Sequence, residues 1–289
     1  MSSTKRYVAE FLCTLLIVAI AAGAVVADTF FARAHLTDAS GALTVAFAYG
    51  LTTIVVLATV GRWSGGYGNP AVVVGLILTR RLPAKEGGSL ILAQLLGGIV
   101  AGALVWAMAP HDAFVFTAGG APGLARGVSI AQGMAVEMVG TFLITLAIWG
   151  TSIDERGPRV LAPVAAGLAV TAGAIAAAPF TGAGLNPARW LGPALASRHF
   201  VNWPVWIAGP VLGGLLGALV YENLVAESPE TAGASAAADD AEAADDVGAG
   251  RALPAGSTPA EVIVPGGGTP AEVGATARGE SPKGPSSSS

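Results

Sequence analysis

Six apolar runs of about 20 residues occupy the first 226 positions of the chain, at roughly 7–27, 41–61, 89–109, 129–150, 160–178 and 205–225. At 1.5 Å of helical rise per residue, each is long enough to cross about 30 Å of hydrocarbon. The first follows Lys5 and Arg6 and ends near small residues, as a signal peptide would. Its apolar run exceeds the 7–15 residues of a signal core, so it reads as a retained span. Two shorter helix-compatible stretches, about 69–78 and 186–196, stand apart from the six. Ten residues rise only about 15 Å, half a bilayer. The pattern predicts six full crossings and two half-crossings, an all-α membrane protein.

The halves repeat. A shift of 117 places Asn69-Pro70-Ala71 on Asn186-Pro187-Ala188, Gly50-Leu51 on Gly167-Leu168, and Gly75 on Gly192. Gly97-Gly98 falls on Gly213-Gly214 at a shift of 116, and Glu10-x3-Thr14 resembles Glu137-x3-Thr141. Each half holds three spans, an odd number, so the second must enter the membrane from the opposite side. That is an inverted-topology repeat. Gly98-x3-Gly102 and Gly213-x3-Gly217 add GxxxG spacing in spans three and six, where small residues let helix backbones approach closely.

Composition excludes the soluble alternatives. Charged residues make up 12% of the chain and hydrophobic ones 53%, against about 25% charge in a soluble domain. Residues 1–226 hold 12 Lys/Arg and 9 Asp/Glu; residues 227–289 hold 3 and 10. The second stretch, rich in Ala, Gly, Pro and Ser, lacks the apolar surface to fold alone and reads as a disordered acidic tail. With the N-terminus inside, eight Lys/Arg of the loops fall on the inner side and four on the outer. The positive-inside rule then puts both termini in the cytoplasm. A single cysteine, Cys13, makes neither an internal disulfide nor a cysteine-based metal site. His35, His111 and His199 lie in loops or at loop edges without ligand spacing, and no Ser/His/Asp or phosphate-loop arrangement supports catalysis. No metal, cofactor or nucleic-acid partner is implied.

The two short segments carry the chemistry. Asn is a favoured N-cap and Pro a favoured first helical residue, so Asn-Pro-Ala is a sound helix start on local grounds alone. Two copies, each after a Gly-rich approach (Ser64-Gly65-Gly66-Tyr67-Gly68 and Thr181-Gly182-Ala183-Gly184), say more. Irregular backbone at membrane depth persists only when buried in protein or lining a cavity. With these motifs in six spans, residues 5–225 resemble the aquaporin and aquaglyceroporin (major intrinsic protein) family. The tail lies outside the resemblance.

The resemblance implies a homotetramer in the plasma membrane, with one narrow pore per protomer for water or small uncharged solutes. It places the amides of Asn69 and Asn186 in the pore at the midplane. Glu10 and Glu137 become buried carboxylates supporting the re-entrant loops. Tyr49, Ala174, Ala183 and Arg189 become the four constriction positions, 20 before Asn69, and 12 before, 3 before and 3 after Asn186. Here the sequence departs from the family pattern. Ala174 replaces the His of water-selective members, Trp190 stands where glycerol conductors usually carry Asp, Val73 replaces a common Thr, and Gly68 a bulky residue. The ring resembles a relaxed filter that also passes glycerol, urea or a metalloid hydroxide; strict water selectivity remains the alternative. A secondary transporter shares inverted repeats but needs coupling carboxylates near the midplane, and a closed junctional protein could keep the same fold.

Overall fold

A computed structural model describes residues 3–34 and 41–225. His35 and the whole of 227–289 therefore lie outside the described residues. The chain forms α1 (Ser3–Arg33), α2 (Ala42–Thr59), α3 (Pro70–Leu78), α4 (Ala84–Met108), α5 (His111–Phe116), α6 (Ile130–Ile148), α7 (Ala162–Thr181), α8 (Pro187–Ser197) and α9 (Pro204–Val220), and no strand occurs among the described residues. With their terminal turns, six of these helices are long and apolar enough to cross a membrane: Ser3–Arg33, Ala42–Thr59, Ala84–Met108, Ile130–Ile153, Arg159–Thr181 and Pro204–Val225. All six apolar runs fall on them. The first helix runs past its apolar core at both ends, because Ser3–Arg6 and Asp28–Arg33 contain nothing that breaks a helix. Sequence periodicity gives no sign of α5, a single turn and a half opened by His111.

Local chemistry sets the two half-helices. Asn69 takes an extended conformation (φ −148°) and its side chain accepts a hydrogen bond from the Ala71 N–H; Pro70 is the first helical residue. Asn186 (φ −160°) does the same for Ala188, with Pro187 following. These N-caps stop the half-helices from running backward into their loops. At the other end of α8, Arg198 adopts a left-handed conformation and ends the helix.

Glycines fix how the helices meet. Gly50 of α2 and Gly167 of α7 face each other: a Cβ on Gly50 would lie 2.5 Å from the Gly167 carbonyl oxygen, and one on Gly167 2.6 Å from that of Gly50. The contact is its own mirror, so the pseudo-two-fold axis passes between them. The paired glycines of spans three and six act across the halves. A Cβ on Gly98 of α4 would strike the carbonyl of Ala188, at the start of α8. One on Gly214 of α9 would strike the carbonyl of Ala71, at the start of α3. Each half's last span thus seats the other half's half-helix. Gly97 and Gly213 press the same two spans onto the Phe11 carbonyl of α1 and the Met138 carbonyl of α6. Backbone approach of this kind replaces the hydrophobic drive that helices lack in lipid.

Candidate functional site

The half-helices meet with their N-termini together at the centre of the bundle. Asn69 Nδ2 donates to the Leu185 carbonyl (2.9 Å), and Asn186 Nδ2 donates to the Gly68 carbonyl (2.8 Å). Each amide oxygen meanwhile caps its own helix through Ala71 N (3.0 Å) or Ala188 N (2.9 Å). The amides are therefore fixed in orientation from both sides, oxygen toward its own helix and nitrogen across the axis. Each nitrogen carries a second hydrogen, and both asparagines border a narrow cavity of about 20 Å³. A single water needs roughly 10–15 Å³ by the same measure. Tyr49, Leu57, Tyr67 and Ile148 form other parts of its wall.

Two buried carboxylates hold the loops that deliver these asparagines. Glu10 accepts from Ser64 Oγ (2.5 Å), Tyr67 N (3.0 Å), Gly68 N (2.8 Å) and Gln94 Nε2 (2.5 Å). Glu137 accepts from Thr181 Oγ1 (2.6 Å), Gly184 N (2.9 Å) and Leu185 N. Both residues are fully buried. A loop at membrane depth has no water to satisfy its N–H groups, and each carboxylate gathers several at once. The second loop needs this more than the first. Ala183 (φ 53°) and Leu185 (φ 56°) sit in the left-handed region, where the first loop has Gly66 and Gly68. Such conformations cost a non-glycine residue about 1–2 kcal/mol each.

The four positions expected at the constriction are all buried: Tyr49, Ala174, Ala183 and Arg189. The first three belong to one apolar cluster. Tyr49 donates its hydroxyl to the Gly184 carbonyl (3.2 Å), which ties α2 to the second loop. Arg189 Nη1 donates to the Gly120 carbonyl (2.7 Å). Its Nε and Nη2 are buried with no hydrogen-bond partner among the described residues. Buried polar atoms are nearly always satisfied by protein or water, so these two donors stand out. Trp190 stacks on Trp206 (centroids 6.3 Å apart, 9° between planes), within the protein. No three of the His, Cys, Asp and Glu side chains gather as a metal site among the described residues.

Gly120, Gln94 and Tyr67 escape a reading of the sequence. A carbonyl acceptor such as that of Gly120 has no sequence signature, since every residue carries one. Gln94 has a visible signal, a polar side chain inside an apolar span, and Tyr67 lies inside the Gly-rich approach to the first motif.

Comparison with known proteins agrees with this geometry. The profile of the family described as "Major intrinsic protein" matches residues 1–221. The chain is 36% identical over 226 residues to the probable aquaporin TIP2-1 of Oryza sativa subsp. japonica, covering 77% of this chain and 88% of that one. It is 35% identical over 226 residues to Aquaporin-1 of Mus musculus, covering 77% and 82%. Among solved structures, the aquaglyceroporin from Plasmodium falciparum superposes with a TM-score of 0.66 at 21% identity, over 78% of this chain and 97% of that one. That last likeness concerns the fold. Six spans, two opposed Asn-Pro-Ala half-helices and the match over residues 1–221 together make this chain a member of the major intrinsic protein family.

Proposed function

We propose that the chain is a passive channel for water and small uncharged solutes that excludes protons and ions. One observation carries the proposal: a buried guanidinium with two idle donors, one turn from a clamped asparagine pair. Each half-helix N-terminus contributes about +0.5 of a charge. Two facing each other form a positive centre that repels hydronium and metal cations without a formal charge. Asn69 and Asn186 donate to a passing oxygen, which orients it and interrupts a chain of hydrogen-bonded waters. Arg189 supplies a second positive barrier and offers hydrogen bonds to hydroxyl or carbonyl oxygens. Because Ala174 and Ala183 carry only methyl groups, the ring has room on two sides, and we read the permeants as extending to glycerol, urea or a metalloid hydroxide. Conduction of this kind breaks no covalent bond, so the protein is not an enzyme.

The same reading gives a homotetramer in the plasma membrane, with both termini cytoplasmic by the eight-to-four distribution of loop cations. Reconstitution in proteoliposomes tests the proposal. Stopped-flow light scattering should show fast, non-saturating osmotic flux, while an internal pH dye reports no proton entry above lipid leak. Comparable proton and water conductance would reject it.

A further inference from the structure

An apolar groove of about 560 Å³ runs along the outer surface between α1 and α4. Leu16, Ile20, Gly23, Phe30, Leu104 and Met108 are among its walls. At its end, sharing Phe30 and Pro110, lies a second and more polar pocket of about 370 Å³ that contains Arg33, His111 and Asp112. We infer that the two together form a binding site for one phospholipid with an ethanolamine headgroup, in the leaflet opposite the N-terminus.

Depth supports this occupant. Gly68, beside the asparagine pair, abuts Ile17 and Cys13 of α1, so Leu16 lies near the bilayer midplane. From Leu16 to Phe31 is 15 residues, about 22 Å of helix. Half a bilayer with its headgroups measures about 20–22 Å. The groove therefore spans a single leaflet, and its polar end lies at the level of the phosphates. Its volume falls within the roughly 300–1,000 Å³ of ligand sites.

Charge selects the headgroup. Arg33 and Asp112 border the same pocket but do not pair with each other, and neither has an ion pair among the described residues. The Arg33 guanidinium is held 4.5 Å over the Phe116 ring, which leaves its edge N–H groups free for a phosphate. The Asp112 carboxylate is then available to a primary ammonium, which donates hydrogen bonds. A quaternary choline cannot donate them, and a glycerol headgroup brings no positive charge. One cation and one carboxylate, separately placed, match phosphate and ammonium in turn.

The test uses the full chain purified in detergent and incubated with phosphatidylethanolamine, phosphatidylcholine or phosphatidylglycerol of identical acyl chains, followed by native mass spectrometry. One phosphatidylethanolamine per protomer should survive activation that strips the other two lipids. Arg33→Gln should weaken its retention about tenfold, the loss of one charge-assisted contact. Asp112→Asn should abolish the preference for ethanolamine over glycerol headgroups. Gly23→Leu fills the groove where an added Cβ meets nothing within 4 Å, so this variant should fold, conduct water normally and lose the lipid. Equal retention of all three lipids, or retention unchanged in Gly23→Leu, would overturn the site and leave ordinary solvation by lipid. Loss of oligomer in Gly23→Leu without loss of lipid would overturn it in favour of a contact between copies.

Discussion

Shifted by 117 residues, the four positions expected at the constriction map onto four positions of the other half. Tyr49 corresponds to Ala166, Leu57 to Ala174, Gly66 to Ala183 and Val72 to Arg189. The supporting parts correspond almost atom for atom. Glu10 and Glu137 both grip a hydroxyl immediately before a pair of glycine or alanine positions, and both receive the N–H groups that precede the motif asparagine. The four expected constriction positions differ from their mirrors in every residue. Tyr49 and Arg189 have Ala166 and Val72 at their mirror positions, and Tyr49 and Ala166 border the same cavity. The carboxylate clamp recurs in both halves, while each of the four expected constriction positions differs from its mirror position.

The largest expected effect comes from breaking the scaffold. Glu137→Ala leaves the Thr181 hydroxyl and the Gly184 and Leu185 N–H groups buried without an acceptor. A cost of about 3–5 kcal/mol follows, seen as a lowered unfolding temperature and loss of the main peak in size-exclusion chromatography. Glu10→Ala should destabilise similarly, but its loop relies on glycines at the left-handed positions, so Glu10→Ala protein that survives should retain its solute selectivity. A Glu10→Ala channel that loses selectivity as completely as a Glu137→Ala one would contradict the division between scaffold and lining.

Next in size is the direct symmetrisation Arg189→Val, which gives that position the residue of its mirror. Proton and cation leak through proteoliposomes should rise about tenfold or more, since a barrier worth at least one to two kcal/mol is removed, while water flux holds or increases. An unchanged leak would assign exclusion to the asparagine pair and helix ends alone. Ala174→His is a gentler change. It narrows the ring and restores a donor, so glycerol or urea flux should fall several-fold further than water flux, because steric exclusion acts first on the larger permeant. Equal falls for water and solute would show that the ring around Ala174 does not set the size limit. Truncation after residue 227 should have the smallest effect: it leaves all six spans in place, and osmotic flux and oligomeric state should match the full chain.

What the sequence discloses divides along the same line. The spans follow from apolar length, the half-crossings from Asn-Pro-Ala in duplicate, and the facing glycines Gly50 and Gly167 from the internal repeat. Glu10 and Glu137 were visible as carboxylates in apolar runs, and Arg189 as a cation at membrane depth. The partners of these residues were not. Gly120 and Gly184 act through carbonyls that any residue would offer, and the loops bring them to Arg189 and Tyr49 from distances of 69 and 135 residues. α5 is too short for hydrophobic periodicity to register. Side-chain identity reveals which groups need partners; only the path of the backbone reveals which partners they find.

The seating of each half-helix on the opposite half's last span has a consequence for biogenesis. Ala71 of α3 rests against Gly214 of α9, which leaves the ribosome about 140 residues later. At roughly 5–20 residues per second, that is an interval of about 7–30 seconds. Throughout it the first re-entrant segment has its carboxylate clamp, Glu10, but not the helix that closes over it. Completion of the first half of the pore thus awaits the final insertion event, and a ribosome stalled before α9 holds a half-built channel with an unsealed loop exposed to the translocon.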